Sequence, residues 1–216
     1  ILSFQSWSKA DDIREFEIEG ISLGVSLLDF FDKKKILSSK VDWYDDLEKN
    51  RFLSFAFDEK NFENIATEKI LILDHLQDTN NLGAVARSAA AFDFQTIFLP
   101  KKRSVQITEK TFAISSGGME YVNIVMYNSI FSLIKKIRNL GYWTIGLDMN
   151  SSNQINDLDL KNQSVALIVG SEETGLSNEI QKKLDLIVHI SMTNNMESLN
   201  ASAATAIAMH EIFIKK

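Results

Sequence analysis

Apolar and polar residues alternate along the chain in blocks that predict strands and helices in turn. From residue 69 onward, short apolar runs predict strands at 70–74, 96–100, 121–127, 142–148, 165–170 and 186–190. Segments with helical spacing predict helices at 80–92, 107–118 and 129–141, and an alanine-rich helix ends the chain. This alternation favours an α/β fold with a mostly parallel sheet, covered on both faces.

Ligands of such sheets bind beyond the carboxyl ends of the strands. That rule directs attention to the segments that follow residues 70–74, 165–169 and 186–190.

The first third of the chain has a less regular pattern. It predicts a helix at 18–31, a strand at 52–58 and the start of a helix at 59–65. A small α/β appendage fits these elements. We therefore expect a partial N-terminal domain at 1–66 and a larger α/β domain at 67–216.

Composition narrows the classes of function. Hydrophobic residues make up 45% of 216 residues, enough for a packed core, and the absence of cysteine excludes disulfides and thiolate metal sites. Three widely spaced histidines do not suit a zinc centre, so we expect no metal. No segment is long and apolar enough to span a bilayer. We expect a cytoplasmic protein with no membrane partner.

The charge is negative overall and uneven. The formal net charge is −6, which argues against a protein that binds nucleic acid non-specifically. Residues 1–69 carry −5 of it and residues 70–216 carry −1. Lys101, Lys102 and Arg103 form the basic cluster near a predicted strand end, which is either a solvated loop or an anion contact.

The first polar segment, at 78–92, begins a helix. Asn80 or Asn81 can cap that helix, and Gly83 allows a backbone or ligand to approach closely. Arg87 is the charged residue on an otherwise small and apolar helix, so it either reaches solvent or meets an anion.

The second segment, at 167–177, is a polar loop after a strand. Gly170 and Gly175 flank two adjacent acids. The loop lacks both the P-loop and the dinucleotide-binding patterns. It is either an ordinary strand-to-helix turn or a loop that wraps a ligand other than a phosphate.

The third segment, at 189–211, joins a strand end, a polar loop and the alanine-rich helix. Ser198 or Asn200 can cap that helix, and its small side chains allow another backbone to approach closely.

In this order and spacing, the three segments resemble the sequence motifs of the SpoU (TrmH-like) family of RNA ribose 2′-O-methyltransferases, within the SPOUT superfamily. The resemblance covers about residues 69–216. The matching residues are Asn81-Leu82-Gly83 with Arg87, then Gly170, Glu172, Gly175 and Leu176, and finally Ser198-Leu199-Asn200 with Ser202 and Glu211. The chain departs from the family pattern at Thr79 and Ser191, where proline is usual, and at Asn194, where glycine is usual.

The resemblance implies a C-terminal trefoil knot and a homodimer in which the alanine-rich helix packs against a second subunit. It also implies S-adenosylmethionine as the methyl donor. The residues whose backbone and side chains would hold that cofactor are Gly170, Ile190, Met192, Ser198 and Leu199.

The residues that the resemblance marks as catalytic are Asn81, Arg87, Glu172, Ser198 and Asn200. The family's usual proposal makes the arginine a base or activator. Because guanidinium keeps its proton in nearly all proteins, we expect Arg87 instead to hold a phosphate and stabilise the developing alkoxide, and the general base stays unassigned.

The stretch at 98–107 looks most like the branch that methylates a guanosine ribose of large-subunit ribosomal RNA. That branch often has an N-terminal RNA-binding domain of the ribosomal-protein L30e type, which residues 1–66 would supply in part. RNA contacts are then expected at Lys101, Lys102 and Arg103. The alternatives are a transfer-RNA ribose methyltransferase, a catalytically silent RNA-binding dimer of the same fold, and a generic α/β binding protein.

Overall fold

The computed structural model describes residues 17–18, 21–22, 41–45, 51–58, 68–102, 104–161, 163–171, 174–193 and 195–215, with side chains from residue 68 onward. The chain divides into two compact units, residues 1–39 and 40–216. The functional-domain boundary expected between residues 66 and 67 stays a prediction.

In the first unit, strands β1 (Glu17–Ile18) and β2 (Ile21–Ser22) pair antiparallel. The helix predicted from residue 18 is therefore wrong at its start. The branched side chains of Ile18 and Ile21 favour strands, and Gly20 between them in the sequence is a turn signal that the helical interpretation overlooked. The rest of that predicted helix, and the one predicted at 59–65, fall mostly or wholly outside the described residues.

The second unit is built on an eight-stranded sheet. Its strands are β3 (Val41–Asp45), β4 (Arg51–Asp58), β5 (Lys69–Leu73), β6 (Thr96–Pro100), β7 (Asn123–Tyr127), β8 (Trp143–Leu147), β9 (Val165–Val169) and β10 (Leu186–Val188). Their order is β10-β8-β9-β5-β6-β7-β4-β3. β3 pairs antiparallel with β4, and the other neighbours in this sheet pair parallel. The predicted α/β fold with a mostly parallel sheet is confirmed.

Helices follow most strands, as the periodicity predicts. They are α1 (Thr79–Ala91), α2 (Glu109–Ser115), α3 (Ile130–Asn139), α4 (Asn178–Gln181) and α5 (Ala201–Ile214), with single 3-10 turns at Gly118–Tyr121 and Ile155–Asp157. α4 was not predicted, because four residues are too few to show helical periodicity. Its sequence signal is Ser177, whose hydroxyl caps the helix by accepting from the Ile180 amide at 3.3 Å.

The core lies against the central strands. Every residue of β5, β6 and β9 is buried, which matches their nearly continuous apolar sequences. α3 buries Ile130, Leu133, Ile134 and Ile137, the i, i+3, i+4, i+7 stripe of an amphipathic helix. The residues that form the core are therefore the apolar positions from which the strands and the helix were predicted.

Asp185 ties three elements together at the amino end of the outer strands. Its carboxylate accepts from Arg138 Nη2 at 2.6 Å, Thr144 Oγ1 at 2.6 Å and the Thr144 amide at 2.9 Å. Burial would raise the pKa of this carboxyl, but the hydrogen bonds from Thr144 and the charge of Arg138 outweigh it and hold the pKa below its ordinary value. Asp185 thus links α3 and β8 to the start of β10.

We expect Asp185→Ala to lower the free energy of unfolding at neutral pH by about 2 kcal/mol, because it removes the acceptor of Thr144 Oγ1, of the Thr144 amide and of Arg138 Nη2. Urea unfolding measures this. Since the folded pKa is lowered, the contribution exists above the unfolded value of about 3.9 and is lost as the pH falls through the folded pKa. The difference from wild type should therefore shrink in acid.

The matched control is Asp159→Ala, because Asp159 is exposed and accepts a long bond from the Lys161 amide, at 3.4 Å. It should cost less than about 0.5 kcal/mol. An equal loss in both variants, or a difference that stays constant in acid, would contradict the role given to Asp185.

Candidate functional site

The three polar segments meet at one edge of the sheet. They follow β5, β9 and β10, and the parallel strand order β10-β8-β9-β5 places the carboxyl ends of these strands side by side. The Asp74 amide donates to the Val169 carbonyl at 2.8 Å, which joins the ends of β5 and β9. The Asp148 amide likewise donates to the Val188 carbonyl at 2.9 Å. This edge is where ligands of open parallel sheets bind.

Asp78, and neither Asn80 nor Asn81, caps α1. Its Oδ1 accepts from the Asn80 amide at 2.9 Å and from Asn80 Nδ2 at 2.8 Å. The prediction placed the cap too late, because Asp78 already has the extended backbone of a cap and Thr79 is the first helical residue. Asn81 therefore lies inside the first turn and is only 7% exposed.

The side chains of Asn81 and Asn200 meet. Asn200 Nδ2 donates to Asn81 Oδ1 at 3.1 Å. Asn200 Oδ1 caps α5, accepting from the amides of Ser202 at 2.9 Å and Ala203 at 3.3 Å, and from Ser202 Oγ at 2.6 Å. Of the two candidate caps for this helix, the structure selects Asn200, whereas Ser198 is exposed to solvent. The first and third polar segments are thus joined through their asparagines.

Arg87 lies beside a shallow pocket on the exposed side of α1. Its Nη1 donates to Ser116 Oγ at 3.2 Å, and the pocket of about 300 Å³ that it lines also includes Gly117 and the 72% exposed Tyr121. A Cβ on Gly118 would lie 2.6 Å from Arg87 Cα, so the 3-10 turn packs directly on the helix backbone there. Sequence reasoning missed this pocket, since the Ser-Ser-Gly-Gly run at 115–118 was considered only as the end of the helix predicted at 107–118.

The loop after β9 closes on itself. The amides and carbonyls of Ser171 and Gly175 pair at 3.2 and 3.0 Å, and the hydroxyls of Ser171 and Thr174 are 2.8 Å apart. A Cβ on Gly170 would lie 2.1 Å from the carbonyl carbon of Gly175, so glycine alone fits there. Glu172, predicted as catalytic, lies outside the described residues.

The segment after β10 is held at its start and exposed further on. The His189 amide donates to the Asn153 carbonyl at 2.8 Å, and Ser191 Oγ donates to Gln154 Oε1 at 3.0 Å. Ile190 is half-buried. The exposed fractions beyond it are large for apolar side chains: 39% for Met192, 69% for Met196 and 37% for Leu199. An exposed apolar surface of this kind marks a place that a ligand or partner covers.

The predicted basic cluster is only partly described. Lys101 and Lys102 are exposed after β6, and the Lys101 amide donates to the Tyr127 carbonyl at 2.8 Å. Arg103 lies outside the described residues, as does Asn194. Among residues whose placement the structure gives, no group of His, Cys, Asp and Glu could hold a metal ion. No helix in that part of the chain is long and apolar enough to cross a membrane.

Comparison with known proteins assigns this arrangement to a family. The sequence profile of the SpoU rRNA Methylase family matches residues 68–210. A protein of Staphylococcus aureus (strain MSSA476), named as a member of the TrmH family of tRNA/rRNA methyltransferases, is 33% identical over 165 residues, which are 76% of this chain and 65% of the relative. A relative with the same name from Staphylococcus saprophyticus is 30% identical over the same coverage. The chain belongs to the SpoU methylase family.

Solved structures agree with the fold. An AdoMet-bound rRNA methyltransferase from Sinorhizobium meliloti has a TM-score of 0.62 and 25% identity, over 67% of this chain and 55% of that one. The SpoU methyltransferase AviRb from Streptomyces viridochromogenes, also in complex with AdoMet, has a TM-score of 0.67 and 22% identity, over 76% and 67%. The fold is that of the SpoU methyltransferases. The chain spans about two thirds of the length of the staphylococcal relatives.

We expect Gly170→Ala to open the loop that Ser171 and Gly175 close, because the new methyl group would overlap the Gly175 carbonyl carbon. Hydrogen exchange should show the Ser171 and Gly175 amides exchanging at least about tenfold faster than in wild type.

Gly141→Ala is the control. Gly141 has a φ of +87°, so alanine is strained there, but no atom lies within 4 Å of its added Cβ. Its variant should lose some stability and keep the protection of both loop amides. Unchanged exchange at Ser171 and Gly175 in Gly170→Ala would show that the loop does not depend on this contact.

Proposed function

We propose that this chain is the catalytic part of an S-adenosylmethionine-dependent RNA ribose 2′-O-methyltransferase that acts on a guanosine of large-subunit ribosomal RNA. The observation that carries the proposal is the hydrogen bond between Asn81 and Asn200, because it joins the first and third motifs of the family at the ligand-binding edge. A packing role alone would not require two polar side chains to meet in this place.

The segments after β9 and β10 offer a surface that suits S-adenosylmethionine, a nucleoside that carries a sulfonium. Gly170 lets the loop after β9 close tightly against Gly175, and Ile190, Met192 and Leu199 offer apolar surface after β10. Ser198 adds a hydroxyl in the same segment. The S. meliloti and S. viridochromogenes relatives were both solved with AdoMet. When bound, S-adenosylmethionine supplies an activated methyl group.

The protein's own task is to align a ribose hydroxyl and to stabilise charge. Arg87, exposed on α1 beside Ser116, holds the phosphate next to the target ribose and stabilises the developing alkoxide as a permanent cation. Asn81 and Asn200 fix the relative position of α1 and α5 and offer amide groups to the ribose. Glu172 and Ser198 complete the polar set. Alignment alone can supply a large part of the rate.

A homodimer with a C-terminal trefoil knot is part of the proposal. α5 leaves Ile207, Phe213 and Ile214 between 40 and 58% exposed, an apolar surface that a second subunit would cover. Small residues dominate the start of the same helix, which permits close packing.

Lys101, Lys102 and Arg103 would contact the RNA. The proposed location is the cytoplasm, where such an RNA is found.

Transfer RNA is the alternative substrate, since the staphylococcal relatives are named for both classes and one solved relative concerns 2-OH methylation of C/U34 on tRNA. If the wild-type chain binds RNA but transfers no methyl group, it is instead a catalytically silent RNA-binding dimer. A methyl-transfer assay with both RNAs separates these functions.

We expect Arg87→Ala to lower methyl transfer from tritiated S-adenosylmethionine by about 10²- to 10³-fold, the usual cost of removing one preorganised charge stabiliser. Donor binding, measured by calorimetry, should stay within about twofold of wild type, because Arg87 acts on the RNA side.

Arg87→Lys is the matched variant, because it keeps the charge and loses the planar fork of donors. It should recover only part of the activity. Full activity of Arg87→Ala would refute the role of Arg87.

Asn200→Asp separates the two roles of Asn200. Aspartate caps helices as well as asparagine does, so α5 should keep its stability. The Nδ2 donor becomes an oxygen that faces Asn81 Oδ1, so we expect methyl transfer to fall at least about tenfold although α5 is still capped.

Asn178→Asp makes the same charge change at an exposed position at the start of α4 and should leave transfer unchanged. If Asn200→Asp and Asn178→Asp are equally active, the contact between the asparagines is not part of the active site.

A further inference from the structure

Asp74, His75 and Tyr127 form a polar cluster that the proposed reaction leaves unused. Asp74 Oδ1 accepts from the Tyr127 hydroxyl at 3.2 Å and lies 2.7 Å from His75 Nδ1. The Tyr127 hydroxyl also lies 3.3 Å from the Leu73 carbonyl. Burial, together with the charge of Asp74 and its hydrogen bond, raises the pKa of Tyr127, so its hydroxyl stays protonated and donates. The cluster lies at the carboxyl end of β5.

In the pair of Asp74 and His75, the imidazole is the partner that faces solvent. The Asp74 side chain is 10% exposed and the His75 side chain is 45% exposed. His75 has a φ of +61°, a left-handed conformation that glycine adopts freely and other residues adopt rarely. A backbone under such strain that nevertheless presents an imidazole to solvent points to a task for that imidazole.

Tyr127 connects this imidazole to the loop after β6 that carries Lys101 and Lys102. While its hydroxyl binds Asp74, its backbone carbonyl accepts from the Lys101 amide at 2.8 Å. The Leu76 carbonyl accepts from the Val105 amide at 2.9 Å, which fastens the two loops together a second time. His75 and the exposed Lys102 therefore lie on two loops that are hydrogen-bonded to each other and to Tyr127.

We propose that His75 binds the phosphodiester backbone of the RNA substrate, as part of one surface with Lys101 and Lys102. Its Nε2 would donate to a phosphate oxygen, and Asp74, 2.7 Å from Nδ1 on the other side of the ring, fixes the orientation of the imidazole. Tyr127 is the positioning residue, because it holds Asp74 in place. The inference rests on the proposed function in that RNA is the substrate, and it extends the RNA-contacting surface toward α1, where Asn81 lies.

The test measures RNA binding without catalysis, by fluorescence anisotropy of the full chain with unmodified transcripts of large-subunit ribosomal RNA and of transfer RNA. The main variant is His75→Gly, because glycine relieves the positive φ and the fold should be at least as stable. We expect Kd for the better-bound RNA to rise about fivefold to tenfold. The slope of log K against log salt should fall by about 0.7 to 0.9, the value of one phosphate contact.

Lys182→Ala is the control for loss of a positive charge, since Lys182 is exposed at the end of α4, before β10 begins. It should leave the salt slope unchanged. Tyr127→Phe keeps the buried ring and removes the hydroxyl, so it should weaken binding in the wild-type background and have no further effect in His75→Gly. Equal effects in both backgrounds would overturn the positioning role.

The outcomes separate the inference from the proposed function. Unchanged Kd and salt slope in His75→Gly overturn the inference, even when methyl transfer falls. Weaker binding with a smaller slope, in a chain that transfers no methyl group, supports the phosphate contact and overturns the proposed function. If neither RNA binds the wild-type chain, both are wrong.

Discussion

The hydrogen bond between Asn81 and Asn200 joins residues that are 119 positions apart, and the rest of the candidate site is arranged around it. For these two amides to meet, the chain must return α5 to the start of α1 at the carboxyl edge of the sheet. Parallel strands make this arrangement possible, because β5 and β9 are neighbours, only β8 separates β9 from β10, and all four strands end at the same edge of the sheet. The same asparagine that contacts Asn81 also caps α5. One side chain therefore both starts this helix and joins it to α1.

Close backbone packing supports that arrangement on the other side of α1. A Cβ on Gly83 would lie 2.8 Å from Ile114 Cβ and from the Thr111 carbonyl oxygen, so α1 and α2 approach as closely as glycine allows. Gly118 does the same against the backbone of Arg87. α2 and the 3-10 turn at Gly118–Tyr121 thus both pack closely on the helix that carries Arg87. The guanidinium of Arg87 reaches the edge of the pocket near Ser116.

Two of the three positions at which the chain departs from the family pattern, Thr79 and Ser191, have local substitutes. Thr79 is the first residue of α1, the position where proline is most favourable, and the cap from Asp78 keeps the helix start in place without it. Ser191 donates its hydroxyl to Gln154 Oε1, a contact that a proline could not make. Both loops are therefore held by side-chain hydrogen bonds rather than by a rigid ring.

Local patterns were enough to predict most of the α/β framework. The strand at 96–100 has the bounds that its apolar run and its terminal proline indicate, and the buried stripe of α3 follows its periodicity. Contacts between distant residues could not be predicted this way. The meeting of Tyr127 with Asp74 depends on strand order. The cap of α1 is a local contact, but the choice of Asp78 over Asn80 or Asn81 depends on the residue at which the backbone becomes helical. The motifs predict which residues form the site, and the fold shows which of the described ones touch.

The central claim is that this edge of the sheet methylates the ribose of an RNA. The most direct measurement is transfer of tritiated methyl from S-adenosylmethionine to unmodified large-subunit ribosomal RNA, followed by alkaline hydrolysis. A methylated 2′-oxygen blocks cleavage, so the account predicts label in alkali-resistant dinucleotides that contain guanosine. Label in mononucleotides would show methylation of a base and would contradict the account.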